Sequence, residues 1–179
     1  MSRIPLVTPD TASPDLKAAY EELAKGHPVT NMKATLLHSP VALHAVLEWY
    51  VLFDRVKPFL GERLAVLFCD AISRENKCEL CATFMHREIV QWGEDPNNLK
   101  LDDRDKTVIA FGRQLAGDAN KVSDALYAKL ESYFNHSQIV DLTVFGTLMI
   151  VNNLFNSALR VEPDASLDPY RIDPEKYFA

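Results

Sequence analysis

Ser137-Gln138-Ile139-Val140-Asp141-Leu142-Thr143-Val144-Phe145-Gly146-Thr147-Leu148-Met149-Ile150-Val151-Asn152-Asn153-Leu154-Phe155-Asn156-Ser157-Ala158-Leu159 is the stretch on which the fold class turns. Its middle, Val144 to Val151, also reads as a strand. Length arbitrates. Leu142, Phe145, Leu148, Asn152, Phe155 and Leu159 continue as one stripe at helical spacing, too long for an ordinary strand. A long helix opened by Ser137 is expected. No other stretch sustains period-2 alternation, so the chain reads as all-α.

Outward from there, the punctuation marks further helices. Ser13-Pro14 and Ser39-Pro40 each pair an N-cap with Pro at the first helical position, where a missing N–H costs nothing. The first helix carries Leu16, Ala19, Tyr20 and Leu23 and stops at Gly26. The second carries Leu43, Val46, Leu47, Tyr50 and Val51 and is expected to end near Lys57, before Pro58. Gly61-Glu62 opens a helix with Leu64, Leu67, Phe68, Ala71 and Ile72 on one face. Asn76 and Glu79 fit a capping box, which predicts Cys78 at N2, Cys81 at N5 and a helix to Trp92 stopped by Gly93. Asp102 with Asp105, and Ser123, cap two more. From Val161 the tail, with Pro163, Pro169 and Pro174, is expected to be extended or loop. The expectation is one domain over residues 1–179 with about seven helices.

Composition narrows the function. Net charge is −6 over 179 residues, without a basic stretch, which disfavours nucleic acid and anionic lipid as partners. Six glycines are few for a many-turned β-barrel. The longest apolar run, Leu142 to Val151, is short for a bilayer and contains Thr143, Gly146 and Thr147. The first residues lack the apolar core of a signal peptide. The expectation is a soluble cytoplasmic protein with no membrane or nucleic-acid partner.

Three cysteines do not make a disulfide framework, but Cys78 and Cys81 form Cys-x-x-Cys. Near a helix start the backbone N–H groups and the helix dipole favour thiolate over thiol. A thiolate attacks peroxides and disulfides, and a neighbouring thiol resolves the sulfenic acid to a disulfide. Cys69, inside an apolar helix, reads as a buried small hydrophobe. Cys69, Cys78, Cys81 and His86 form a nominal zinc set, but the second ligand pair of a structural site is missing, so no metal is assigned. Glu62, Asp70 and His86 are the candidate proton carriers. Glu62 and Asp70 lie eight residues apart, on roughly one face of the preceding helix. Trp49, Tyr50 and Phe53, with Phe145 and Phe155, read as aromatic surface for self-association.

The chain resembles the carboxymuconolactone decarboxylase superfamily, in its AhpD-like, peroxidase-related branch. The resemblance covers most of the chain. It rests on Arg3-Ile4-Pro5-Leu6-Val7, Asn31 to Pro40, Cys78-Glu79-Leu80-Cys81, and Asn152 to Leu159 with Val161-Glu162-Pro163-Asp164. It implies an all-helical fold in homo-oligomers: trimers, hexamers or dimers. It implies hydroperoxide reduction by the cysteine pair, with electrons from a thiol reductant and without a cofactor. Cys81 would meet the peroxide and Cys78 would resolve, although the helix dipole alone favours Cys78 as the more acidic thiol. The family motif places eleven residues between its Glu and the pair, and three between the pair and its His. Here Val66 and Met85 occupy those positions. The rival expectations are a non-catalytic helical assembly and a carboxymuconolactone decarboxylase-like small-molecule enzyme on the same fold.

Overall fold

The 137–159 stretch is helical throughout in the computed structural model, which describes residues 2–10, 12–26 and 28–178. The described residues form nine α-helices and two 3-10 turns and no strand. The helices are α1 Pro14–Ala24, α2 Asn31–Leu36, α3 Pro40–Leu60, α4 Glu62–Glu75, α5 Glu79–Gln91, α6 Asp103–Asp118, α7 Asp124–Tyr133, α8 His136–Leu159 and α9 Pro174–Tyr177. The 3-10 turns are Ala119–Lys121 and Ala165–Tyr170. The count exceeds the expected seven because of α2 and α9, each too short to show a periodic stripe. The tail is therefore not simply extended.

Capping residues fall mostly where the sequence puts them. Ser13, Ser39, Asp102 and Ser123 each accept a backbone N–H from three residues on. Two starts and one end differ. Helix α8 begins at a full capping box between Asn135 and Gln138, each side chain meeting the other's backbone N–H at 3.0 Å, so Ser137 lies inside the helix. Helix α3 runs through Pro58 to Leu60. The carbonyl that Pro58 leaves unpaired belongs to exposed Asp54, where water can satisfy it.

The third difference positions the cysteines. Asn76 caps the end of α4 rather than the start of α5. Lys77 is left-handed at φ 53°, and its N–H bonds the Arg74 carbonyl at 3.1 Å. The Cys78 N–H reaches back to the Ser73 carbonyl at 3.0 Å, completing a Schellman closure. Ending α4 uses Asn76 and Lys77, so α5 starts two residues later than the sequence suggests. Cys78 is its N-cap and Cys81 its N3 residue.

Helix α4 is the centre. Every residue from Leu64 to Ser73 is buried, and α3, α5, α6 and α8 pack around it. Phe68 is wholly buried between Phe111 of α6 and Phe145 of α8, with ring centroids 6.3 and 6.1 Å away. Gly112 and Gly146 let those helices approach: a Cβ at either would sit 2.8 Å from the Phe68 ring. A smaller cluster joins α1 and α2 to α3 through Leu36, Leu37, Leu43 and Val46.

Most of the aromatic residues expected at the surface turn inward, while Tyr50 stays exposed. Trp49 stacks on Phe53 at 5.3 Å and meets fully buried Phe145 at 5.1 Å. Val140, Val144, Val151 and Leu154 instead expose an apolar strip on the outer face of α8. That second apolar face makes α8 long and apolar enough to cross a membrane by length and composition, with mean hydropathy 1.4, contrary to the reading of Leu142 to Val151 alone. Its inner face packs on α3, α4 and α6.

Candidate active site

Cys78 and Cys81 are free, buried thiols whose sulfurs lie 2.7 Å apart. A disulfide bond of about 2.05 Å needs only a short further approach. The two sulfurs differ in surroundings. Cys78 Sγ accepts the Cys81 backbone N–H at 3.4 Å, as an N-cap side chain does. Contact with the Cys81 thiol pulls the Cys78 pKa below the ordinary range, against the effect of burial, with help from the Cys81 N–H and the Ser157 side chain. Burial, then the neighbouring Cys78, pushes the Cys81 thiol well up. The first proton to leave the pair therefore leaves Cys78. Cys81 Sγ has one further partner, the Asn156 amide at 3.3 Å.

Each sulfur also faces its own cavity. Cys81 lines an apolar cavity of about 80 Å³ with Met32, Val46, Trp49, Phe84 and Met149. Cys78 lines a polar one of about 340 Å³ with Lys77, Glu79, Ser157, Arg160 and Arg171. Lys77 and Arg160 are the two non-glycine residues at positive φ among the described residues, and both border this second cavity. Asn156 and Leu80 line both cavities and separate them.

A third cavity, about 350 Å³, adjoins the first through Trp49, Tyr50, Phe84 and Met85. Val66 and Cys69 also form its wall, so the positions matching the family's Glu and His lie together there with apolar side chains. Glu62 lies on this cavity too, half-exposed and paired with Lys57 at 3.3 Å. Burial, then Asp70, holds the Cys69 thiol protonated.

Asp70 and His86 lie elsewhere. Asp70 accepts from Arg74 Nε at 2.7 Å and from the Tyr177 hydroxyl at 2.9 Å. Arg74 stacks on the Tyr177 ring, 3.6 Å from its centroid. Burial raises the Asp70 pKa while Arg74 and Tyr177 oppose the shift. His86 Nδ1 meets the Tyr170 carbonyl at 2.9 Å, and its ring meets Tyr177 edge-on. These contacts tie the C-terminal tail to α4 and α5. Eight residues along a helix turn about 80° away from the starting face, which separates Asp70 from Glu62. Among the described residues no three His, Cys, Asp or Glu side chains gather as a metal set, so Cys69, Cys78, Cys81 and His86 do not converge.

Sequence reasoning singled out the cysteines and missed Asn156 and Trp49 as site residues. The signal for Asn156 was present: Asn152, Asn153 and Asn156 interrupt an otherwise apolar helix, and all three are buried.

No family model matches the chain, and no curated protein does. Solved structures do. The AhpD core of an uncharacterized peroxidase-related protein from Ralstonia eutropha JMP134 superposes with TM-score 0.70 at 16% identity, over 93% of this chain and 94% of that one. An uncharacterized peroxidase-related protein from Silicibacter sp. TM1040 gives 0.69 at 21% identity, over 93% of both chains. Both alignments span nearly the whole molecule. The architecture is the helical fold of that AhpD core.

Proposed function

We propose that this protein is a thiol-dependent peroxidase of cytoplasmic, reducing surroundings that uses Cys78 and Cys81 to reduce organic hydroperoxides. The carrying observation is the pair itself: two free sulfurs 2.7 Å apart at a helix start, one of them on an apolar cavity. The peroxidase-related naming of the structural neighbours supports the same reading.

The apolar Val66 and Met85 leave the pair to move its own proton. Cys78 ionises first and takes the Cys81 proton across the short S···S contact. The Cys81 thiolate is intrinsically the stronger nucleophile, because nucleophilicity rises with pKa. It attacks the terminal oxygen of R–O–OH, forming S–OH as the O–O bond breaks. The alkoxide takes the proton from Cys78 and leaves as alcohol. The Cys78 thiolate then attacks Cys81 S–OH, forming the disulfide and releasing hydroxide, which solvent protonates to water. A thiol reductant returns the disulfide to two thiols, approaching Cys78 from the polar cavity. In this reading Glu62 exchanges protons with solvent at the adjoining cavity, and Asp70 and His86 secure the tail.

Mild treatment with tert-butyl hydroperoxide should produce a Cys78–Cys81 disulfide, mapped by mass spectrometry. The rate should climb with pH as the pair loses its first proton, with a midpoint below that of an ordinary thiol. The sign follows from the depressed Cys78 pKa, since the reactive monoanion is the deprotonated form. A pair that stays reduced under peroxide would sink this reading and leave a non-catalytic assembly on the same fold.

Self-association belongs to the same proposal. The exposed valines and Leu154 of α8 form the apolar strip that a second copy would cover. Light scattering at micromolar concentration should give a mass well above one chain, and Val144→Glu with Val151→Glu should lower it.

A further inference from the structure

Asn156 is 2% exposed, and its amide is only half used. Nδ2 donates to Cys81 Sγ and to Met32 Sδ, each at 3.3 Å. Oδ1 is buried and has no hydrogen-bond partner. An unpaired buried acceptor costs about 1–3 kcal/mol, so in most interiors this oxygen would find a donor. The side chain sits in the wall between the two cavities, beside the sulfur that faces the apolar one. Trp49 Nε1, an unpaired buried donor, belongs to the same apolar cavity.

We infer that Asn156 is a catalytic residue. Resting on the peroxidase reading, its two ends act on the two reactants. The Nδ2–H group stabilises the Cys81 thiolate, which is otherwise disfavoured by burial. The Oδ1 atom accepts the O–H of the incoming hydroperoxide, turning its terminal oxygen toward the sulfur 3.3 Å from Nδ2. That hydrogen stays on the terminal oxygen as S–O forms and O–O breaks, so the Cys81 sulfenic acid retains it. The alkoxide still takes its proton from Cys78. The amide neither gains nor loses a proton. It does by hydrogen bonding what Val66 and Met85 cannot do. Such a site takes peroxides that carry a free O–H and excludes dialkyl peroxides.

Two reagents separate the two ends. Methyl methanethiosulfonate reports thiolate alone, having no donor for Oδ1. tert-Butyl hydroperoxide reports thiolate and orientation together. In full-length Cys78→Ser protein, Asn156→Leu should slow methyl methanethiosulfonate labelling of Cys81 by about tenfold, the loss of one charge-assisted hydrogen bond, and move its pH profile upward. Sulfenic acid formation by the hydroperoxide, trapped with dimedone, should slow by at least about a further tenfold. Unchanged labelling would overturn the donor role, and equal slowing with both reagents would overturn the acceptor role. Asn156→Ser is the second variant should the leucine chain fail to fold, with the same two comparisons. If the unsubstituted pair never oxidises while labelling still depends on Asn156, the peroxidase reading has failed and the sulfur contact stands.

Discussion

Replacing Cys81 with serine should lower hydroperoxide turnover by at least about a thousandfold, the scale on which removal of a nucleophile is felt. Cys78→Ser should also end turnover, but by a different route. Without Cys78 no disulfide closes, yet Cys81 should still reach the sulfenic acid at a reduced rate, because its proton acceptor is gone. Dimedone trapping and mass spectrometry distinguish the two variants: an adduct on Cys81 in Cys78→Ser, and none on Cys78 in Cys81→Ser. The converse pattern would exchange the roles, making the N-cap thiolate of Cys78 the attacker. Cys69→Ala is the control, since burial keeps that thiol protonated.

The largest effect on stability is expected at Phe68. Phe68→Ala should cost about 3–5 kcal/mol, the range for truncating a buried Phe in a tight core. For a domain of this size that lowers the thermal midpoint by roughly 10 °C or more, measured by calorimetry or circular dichroism. The cost should fall at the high end because α6 and α8 are both held against the ring and cannot collapse far without losing their own contacts. Gly146→Ala should cost about 1–3 kcal/mol, since its Cβ would meet the Phe68 ring at 2.8 Å and Leu115 at 2.9 Å. Phe68→Ala removes the first obstruction, so the double variant should be more stable than the sum of the two predicts.

The peptide chain alone determined the helical class and most helix starts, because both are local. Ser13, Ser39, Asp102 and Ser123 cap by reaching the backbone three residues on, and that reach depends on no other part of the fold. The Cys78–Cys81 spacing likewise ensures two sulfurs close together. What lay beyond one helix did not follow from spacing. The starting residue of α5 depended on how α4 ends, a competition for Asn76 and Lys77 that capping propensity cannot rank. Whether Trp49 and Phe145 face solvent or each other depended on α3 and α8 packing together, and the apolar surface of α8 proved to be its valine side. Asp70 looked like a carboxylate aimed at the cysteines until the tail brought Tyr177 to its hydroxyl-bonding distance and Arg74 closed over the ring. The pairing of Asn156 with Cys81 became visible only when α8 was laid beside α5, because no sequence signature links an amide to a thiol 75 residues away. Local hydrogen bonding is encoded within a few residues, whereas the assignment of one polar group to another across the core is decided by which helix faces meet.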